Sequence, residues 1–390
     1  MSIQKQKRET EKPCSKPVSL AQLKQLMNQE VAPFADHFDQ LGKFTDDILK
    51  KLAGAGFWGV AIPERFSGSE MCTADFGMLC EAVGGSSFSL LSLLTVHSMV
   101  AQTLLKWGTE KQQSNWLPKL ANGESIAAFG LSEPNIGSDP KNVEMFAKKE
   151  GDSYILNGKK KWISAGQIAD LFLVIAQCED DGPTAFLVDK NTPGVSVSPI
   201  SGMLGFRAAM LAEVHLVNCR IPQDSLVGGV GFGFSHIVGT ALDYGRYCIA
   251  CGAVGLGQAC LTASLHYVNQ RKQFGVLLKE HQLIQKMIAD MVSEIKASRA
   301  LCMQAGRLRN EGSPESIIET STAKYVASKM VNRVASDAVQ IHGANGCSEN
   351  YPVQRYFRDA KIIEIIEGSS QIQQLMLFQY ANQTFLFDQE

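Results

Sequence analysis

The sequence predicts an α+β protein in three consecutive parts: a helical N-terminal part, an antiparallel β part and a C-terminal helical bundle. Apolar residues recur every three to four positions on both flanks of the chain, whereas short apolar runs bounded by Gly and Pro fill its middle. With 390 residues, of which 45% are hydrophobic, the chain is long enough for two or three domains with a large core.

Helical periodicity defines the N-terminal domain, residues 18–125. Apolar residues between Phe44 and Phe57 fall at helical spacing, and Asp75–Trp107 is a second long apolar pattern in which Gly84 and Gly85 predict a break. Residues 1–17 are polar and lack the apolar core of a signal peptide, so we expect a flexible tail.

Strand signals define the middle domain, residues 126–232. Asp170–Gln177, Thr184–Asp189 and Glu213–Val217 are expected to be strands. Asn157-Gly158 lies between two strand-like runs and predicts a hairpin with a type I′ turn. Short strands at close spacing favour an antiparallel barrel or sandwich.

Long helical patterns return in the C-terminal domain, residues 233–390. Ala253–Gln270, His281–Arg309 and Glu315–His342 each keep a 3.6-residue apolar rhythm, and no proline interrupts residues 233–313. These segments predict a bundle of long helices.

Composition excludes several classes of protein. A net charge of -2 provides no field for binding nucleic acid or an anionic membrane, and no apolar run approaches membrane-spanning length. The ten cysteines and seven histidines are dispersed, so we expect no metal site, and Cys248 and Cys251 are interpreted as two thiols on an apolar helix. The absence of a disulfide pattern and of a signal peptide predicts a cytoplasmic protein. No complete G-x-G-x-x-G motif opens a βαβ unit, which disfavours a Rossmann site.

Two segments are candidates for chemistry. The loop from Leu131 to Asp139 is rich in small and hydroxyl residues, which can bring backbone N–H groups close to a cofactor or an anion. Glu367 follows an apolar run and precedes Gly and two Ser, so it is either a partly desolvated carboxylate suited to act as a base or a solvated loop glutamate. Spacing alone leaves both readings of Glu367 open.

Five segments in a fixed order resemble the acyl-CoA dehydrogenase family over residues 20–380. They are LSEPNIGSD at 131–139, KKWIS at 160–164, RKQFG at 271–275, QIHGANG at 340–346 and IIEGSSQIQ at 365–373. The resemblance implies the acyl-CoA dehydrogenase fold: an N-terminal α domain, a middle β domain and a C-terminal four-helix bundle. It also implies FAD and a homotetramer.

By this resemblance Glu367 is the catalytic base, which removes the α-proton of a thioester substrate while the β-hydride passes to the flavin. Its backbone N–H would help polarise the thioester carbonyl. Some family members carry the base on the helix that here contains ALDYGRY, but Gly245 occupies that position. Ser138, Arg246 and Gly368 are expected at the substrate, with Arg246 alternatively an ion-pair partner of Asp243.

The resemblance also assigns a set of FAD contacts from five parts of the chain. They are Phe129, Leu131, Ser132, Gly137, Ser138, Trp162, Ser164, Arg271, Gln273, Phe274, Gln340, Gly343, Ser369 and Gln371. Arg271, Gln273 and Phe274 are expected to reach the FAD of a neighbouring subunit. Phe129 and Phe274 could instead be core residues, and Trp162 could pack between sheet and helix.

Within the family the chain resembles the biosynthetic branch that acts on acyl carrier proteins in supplying hydroxymalonyl, methoxymalonyl or aminomalonyl units for polyketides. Lys141, Lys148 and Lys149 are candidates for binding an acidic carrier, or ordinary solvated lysines. A malonyl-type group would need a cation, yet no Lys or Arg lies between Arg65 and Lys106, which leaves Arg207 as a candidate.

Two other functions stay open at this stage. One is a catabolic short-chain acyl-CoA dehydrogenase, and the other is a flavin-binding scaffold without turnover. For an enzyme of either kind we expect an electron acceptor such as an electron-transfer flavoprotein or oxygen.

Overall fold

The computed structural model describes residues 18–178 and 181–387, so the predicted flexible tail lies outside the described residues. The N-terminal part is helical: α1 Leu20–Leu26, α2 Ala35–Leu41, α3 Asp46–Gly54, α4 Thr73–Ser86, α5 Phe88–Trp107 and α6 Glu110–Asn122. Capping boxes begin α1 at Ser19 and α6 at Thr109, where each hydroxyl accepts a backbone N–H three residues on.

The C-terminal part is again helical, with one small hairpin. It contains α7 Gly239–Val268, the hairpin strands β9 Lys272–Gln273 and β10 Val276–Leu277, and then α8 Gln282–Asn310, α9 Ser316–His342, α10 Val353–Ile363 and α11 Ser370–Phe387. Helix α7 lies at the centre of the molecule, because α4, α5, α8 and α9 all pack against it.

The break predicted at Gly84 and Gly85 lies within two residues of the observed one, since α4 ends at Ser86, Ser87 is extended and α5 begins at Phe88. These glycines allow α4 and α7 to touch backbone to backbone. A Cβ on Gly84 would lie 2.5 Å from the carbonyl oxygen of Gly252, and one on Gly85 would lie 3.0 Å from that of Gly255. The glycines thus lie in the last turn of α4, where they allow close packing on α7, and the helix ends directly after them.

Two helical segments, Phe88–Trp107 and Gly233–Val268, are long and apolar enough to cross a membrane. Their most apolar windows are 89% and 72% buried inside the protein. Burial of their side chains against neighbouring helices accounts for this apolar character.

The middle part is a single sheet of β1 Ala127–Gly130, β2 Phe146–Glu150, β3 Ser153–Ile163, β4 Leu171–Cys178, β5 Gly182–Asp189, β6 Val195–Pro199, β7 Ala212–Pro222 and β8 Leu226–Val227. The strand order is β6-β7-β3-β2-β4-β5-β8, with β1 beside β4. The antiparallel prediction needs one correction, because β1 and β2 each run parallel to β4. The chain reverses from β2 into β3 and again into β4, so β2 and β4 share a direction.

The predicted turn at Asn157-Gly158 is also wrong. Strand β3 passes through both residues with a bulge, and the hairpin reversal falls between Glu150 and Ser153 instead. A Cβ on Gly158 would lie 2.7 Å from the Cα of Met145. The glycine is thus required by the close approach of another strand.

Strand β4 connects the sheet to the helices. Leu171, Leu173 and Ile175 join the core shared with the helical parts, whereas Phe172 and Val174 join a second core within the β part. Burial on both faces fixes β4 and with it β1, which leads directly into the loop that begins at Leu131.

Candidate active site

A strained turn between α10 and α11 carries Glu367. Glu367 has φ +54° and Gly368 has φ +86°, so both residues lie in the left-handed region. For a residue with a side chain this conformation costs about 1–3 kcal/mol, and it persists only where the surroundings fix it. The Ser369 hydroxyl then caps α11 by accepting the N–H of Ile372 at 3.4 Å.

Three buried side chains fix this turn through its two carbonyl oxygens. Arg246 Nε donates to the oxygen of Glu367 at 3.2 Å, and Lys324 Nζ donates to that of Gly368 at 2.8 Å. Gln373 Nε2 donates to both oxygens at 3.2 Å. The four hydrogen bonds come from α7, α9 and α11, so the turn is held from three directions.

The Glu367 carboxylate lies over α7 beside Gly245 and Met99. A Cβ on Gly245 would be 2.5 Å from Oε2 of Glu367 and 2.9 Å from Sδ of Met99. Glycine at this position therefore provides the space that the carboxylate occupies. Oε2 is buried and has no hydrogen-bond partner among the described residues.

Burial raises the pKa of Glu367 to about 7, against the opposing effects of Arg246 and then Lys324. A carboxylate with a pKa near 7 is suited to accept a proton at neutral pH. The alternative of a solvated loop glutamate therefore does not describe this side chain.

Arg246 does not pair with Asp243, so that alternative is wrong. Asp243 instead forms an ion pair of 2.6 Å with Arg309 from α8. Arg246 is itself buried, and its guanidinium is directed to the carbonyl oxygen of Glu367. Burial lowers the pKa of Arg246 against the opposing charges of Glu367 and Asp243.

The first group of predicted FAD contacts lies where β1 and β3 meet the loop 131–139. The Lys161 N–H donates to the carbonyl oxygen of Ser132 at 2.8 Å, which joins the loop to β3. Trp162 has φ +63° and is 48% exposed, so it is not packed between sheet and helix. Ser164 accepts a hydrogen bond of 2.8 Å from the Ser92 hydroxyl of α5.

The other predicted residues of this region differ in exposure. Phe129 is buried in the core, with 7% of its surface exposed. Leu131 is half-buried, whereas Gly137 and Ser138 are exposed.

The second group lies where α7 and α9 end. Tyr267 near the end of α7 stacks on His342 at the end of α9, with ring centroids 4.2 Å apart. Arg271, Gln273 and Phe274 on the hairpin are exposed, as are Gln340 and Gly343 at the end of α9. Phe274 is 96% exposed, which excludes its core alternative. Ser369 and Gln371, half-buried and exposed respectively, begin α11.

These surfaces fit a large, partly aromatic and anionic group such as FAD. Trp162 and Phe274 present apolar rings to the outside, and Arg271 adds a cation. A Cβ on Gly137 or Gly343 would meet no atom within 4 Å, so the backbone there is open to a ligand.

The sequence did not identify three residues of the site, Lys324, Gln373 and Met99. It also did not predict the buried ion pair of 2.6 Å between Glu133 and Lys160 behind the loop 131–139. One signal was present for Lys324. It falls on the apolar face of its helix, between Ala323 and Ala327, where a lysine has no solvent to reach.

Comparison with known proteins places this site in a family. The N-terminal, middle and C-terminal domains of acyl-CoA dehydrogenases match residues 19–124, 128–219 and 231–380. A probable acyl-CoA dehydrogenase of Bacillus subtilis, YngJ, is 38% identical over 361 residues, which cover 91% of this chain and 94% of that protein.

Solved structures include both catabolic and biosynthetic relatives. Butyryl-CoA dehydrogenase from Megasphaera elsdenii has a TM-score of 0.89 and 31% identity, covering 93% of this chain and 96% of the other. FkbI, for biosynthesis of the methoxymalonyl extender unit of the Fk520 polyketide, has a TM-score of 0.85 and 31% identity, covering 93% and 98%. The prolyl acyl carrier protein oxidase AnaB has a TM-score of 0.87 and 28% identity, covering 93% and 97%.

The matches span almost the whole chain, and they agree with the three-part fold described above. The chain belongs to the acyl-CoA dehydrogenase family, and it is an FAD-dependent oxidoreductase that acts on acyl thioesters.

Proposed function

We propose that this enzyme dehydrogenates an acyl group held as a thioester on an acyl carrier protein, in the supply of precursors for polyketides or nonribosomal peptides. The observation that carries the catalytic part is the buried, unpartnered Oε2 of Glu367 beside Gly245. FkbI and AnaB, both similar over nearly their full length, support the biosynthetic part.

In the proposed reaction Glu367 accepts the α-proton of the acyl group at Oε2, and its own backbone N–H polarises the thioester carbonyl. FAD, when bound, supplies the acceptor for the electron pair and the β-hydrogen. The residues that would hold FAD are those where β1 and β3 meet the loop 131–139, those at the end of α9 and the start of α11 and, from a neighbouring subunit, those of the hairpin. Met99 and α5 exclude water from the carboxylate.

The acyl group itself is proposed to be uncharged. The α5 segment that reaches Glu367 belongs to a stretch, residues 66–105, without Lys or Arg. The buried cations nearby, Arg246 and Lys324, are directed to backbone carbonyls. Arg207, the remaining candidate for a substrate carboxylate, donates to the Met203 carbonyl at 3.1 Å and lies 3.9 Å from the Asp39 carboxylate.

Carrier-protein binding is supported by the position of Lys141. Its ammonium lies 5.0 Å from the centre of the Phe234 ring, next to the loop 131–139. Lys148 is 3.9 Å from Glu150, and both Lys148 and Lys149 are exposed on β2. An acidic carrier would meet these lysines by an association that weakens with salt.

The test is flavin reduction in a stopped-flow instrument with one acyl group on carrier protein and on coenzyme A, at low and moderate salt. We expect faster reduction on the carrier protein, and a rate at subsaturating carrier that falls with salt. Lys141→Glu should weaken the response to the carrier, whereas Lys50→Glu on α3 should not. Equal, salt-insensitive rates on both carriers would overturn the proposal.

A catabolic short-chain acyl-CoA dehydrogenase is the second candidate, favoured by the likeness to butyryl-CoA dehydrogenase. It predicts equal or better reduction with the acyl-CoA in the same experiment. The electron acceptor is proposed to be an electron-transfer flavoprotein or oxygen. Comparing the rate at which the reduced enzyme is reoxidised in air with the rate in the presence of the flavoprotein would distinguish the two.

We also propose a cytoplasmic homotetramer. Among the described residues, free thiols are carried by Cys72, Cys80, Cys219, Cys248, Cys251, Cys260, Cys302 and Cys347, which suits a reducing compartment. The exposed hairpin around Phe274 offers an apolar contact for a neighbouring subunit. Light scattering of the FAD-loaded protein tests the assembly, and a monomer with full FAD content would contradict it.

A further inference from the structure

Helix α9 carries a line of polar side chains that face α10 and the turn after it. Asn332 Nδ2 donates to the carbonyl oxygen of Ala360 at 2.7 Å. Ser328 Oγ donates within α9 to the carbonyl oxygen of Lys324 at 2.6 Å and lies 3.5 Å from that of Ile363. Lys324 Nζ, one turn further, donates to that of Gly368 at 2.8 Å. The spacing of four residues places all three on one helix face.

Lys324 differs from the other two members of this line in its charge. Its side chain has no exposed surface, and burying an ammonium group costs several kcal/mol unless opposite charge compensates it. Asn332 shows that a neutral donor suffices to bind a carbonyl of α10. A hydrogen bond alone therefore does not account for a lysine at this position.

We propose that Lys324 is a positioning residue for Glu367, which holds the 367–368 turn by its hydrogen bond and keeps a positive charge beside the carboxylate. The inference rests on the proposed role of Glu367 as the base. Lys324 would then stabilise the ionised, proton-accepting form of Glu367 before substrate arrives.

The charges around Glu367 come from several helices. Arg246 on α7 and Lys324 on α9 are the cations, and Glu364 at the end of α10 is a further anion near Lys324. Asp243 on α7 is paired with Arg309 of α8. Met99 on α5, which lies against Gly245, and Gln373 on α11 are neutral.

The sign of the effect follows from these charges. Burial raises the pKa of Glu367 to about 7, and the charge of Lys324 opposes that rise. Burial also lowers the pKa of Lys324 to about 8, so Lys324 still carries its charge where Glu367 titrates. Removing this charge should raise the pKa of Glu367 further.

The experiment follows the pH dependence of flavin reduction in FAD-loaded wild type, Lys324→Met and Lys324→Gln, with the best thioester substrate. Methionine removes donor and charge, whereas glutamine keeps a donor without the charge. In both variants we expect the pH midpoint, at which the rate of flavin reduction is half its maximum, to increase by about one pH unit or more. One unit below the wild-type midpoint the rate should therefore be about tenfold lower, with recovery at high pH.

Asn332→Leu is the matched control, since it removes a donor from the same helix face but no charge. It should lower the thermal midpoint and leave the pH profile unshifted. An equal loss of rate at every pH in the Lys324 variants, or the same shift in Asn332→Leu, would overturn the inference. Failure of both Lys324 variants to yield FAD-loaded protein would also overturn it, because a structural role would then suffice.

Glu367→Gln distinguishes this inference from the proposed function. If that variant reduces flavin at the wild-type rate, the assignment of the base is wrong and the inference falls with it. If it is inactive while the profile of Lys324→Met is unshifted, only the role of Lys324 is wrong.

Discussion

Glu367 and Phe274 share one backbone conformation, φ +54°, in two very different surroundings. The turn at Glu367 is fixed by four hydrogen bonds from buried side chains of its own chain. Phe274 stands at the tip of a two-stranded hairpin with 96% of its surface exposed. The conformation of Glu367 is thus fixed by buried side chains, whereas that of Phe274 is set by the two-residue loop Phe274-Gly275, in which both residues have the positive φ of a type I′ turn. What the fold of one chain does not explain at Phe274 is the exposure of its large apolar ring.

The comparison predicts that changes in the 367–368 turn alter chemistry without altering assembly. Changes in the hairpin should weaken assembly and, at Arg271, the retention of FAD. Trp162, at φ +63° and half-exposed, lies between the two cases. Trp162 is one of the residues predicted to contact FAD, so a bound cofactor would cover its exposed ring.

The largest effect is expected from Glu367→Gln. Glutamine has nearly the same size, so the fold and FAD content should be kept while flavin reduction falls by about two to four orders of magnitude. Stopped-flow reduction measures the loss. Glu364→Gln is the matched control, since Glu364 lies three residues away and pairs with Lys361 at 2.7 Å. Loss of reduction in Glu364→Gln alone would reassign the base.

The pH dependence of the wild type is the second prediction. Because burial raises the pKa of Glu367 to about 7, the base is ionised above this pH and protonated below it. The rate of flavin reduction should therefore fall as pH decreases through about 7. A rate that stays constant to well below this pH would mean that a different group accepts the proton.

Gly245→Ala is expected to have the next largest effect. The added Cβ would lie 2.5 Å from Oε2, so the carboxylate must move. A displacement of about 1 Å costs roughly a hundredfold in rate. Reduction kinetics and FAD content measure this, and Gly239→Ala on the same helix, where a Cβ meets no atom within 4 Å, is the control. Wild-type kinetics in Gly245→Ala would show that the carboxylate position is not critical.

In the hairpin, Arg271→Ala should lose FAD and weaken assembly together, if the guanidinium helps to hold a neighbour's cofactor. Truncation of such an interface arginine typically costs about 2 kcal/mol or more. Flavin content after gel filtration and light scattering measure both effects. Full FAD content in an intact tetramer would contradict the assignment.

The smallest effect on the single chain is expected from Phe274→Ala. An exposed side chain contributes within about 0.5 kcal/mol to stability, so unfolding of the dissociated subunit should hardly change. Assembly at low protein concentration should weaken, because a large apolar contact is lost. A lower stability of the subunit with unchanged assembly would show that Phe274 serves its own chain.

The sequence predicted the succession of helical, β and helical parts because periodicity is a local property. The motif around Glu367 likewise identified a candidate base. What it could not predict were contacts between distant segments. Lys324 reaches Gly368 across 44 positions, and no local pattern specifies that partner.

The wrong prediction at Asn157-Gly158 shows where a local pattern fails. The dipeptide resembles a turn because glycine readily adopts positive φ. Tertiary contact decides instead, since Met145 lies against Gly158 within β3. Gly84 and Gly85 likewise lie against α7, although the helix break predicted there is found at Ser87, two residues further on.

The most direct test of the central claim, that Glu367 is the base, separates proton removal from flavin reduction. An acetyl thioester has α-protons but no β-carbon, so it cannot be dehydrogenated. In D2O the FAD-loaded wild type should exchange its α-protons for deuterium, and Glu367→Gln should slow this exchange by about two to four orders of magnitude. Mass spectrometry measures the exchange. Equal rates of exchange with wild type and with Glu367→Gln would contradict the account.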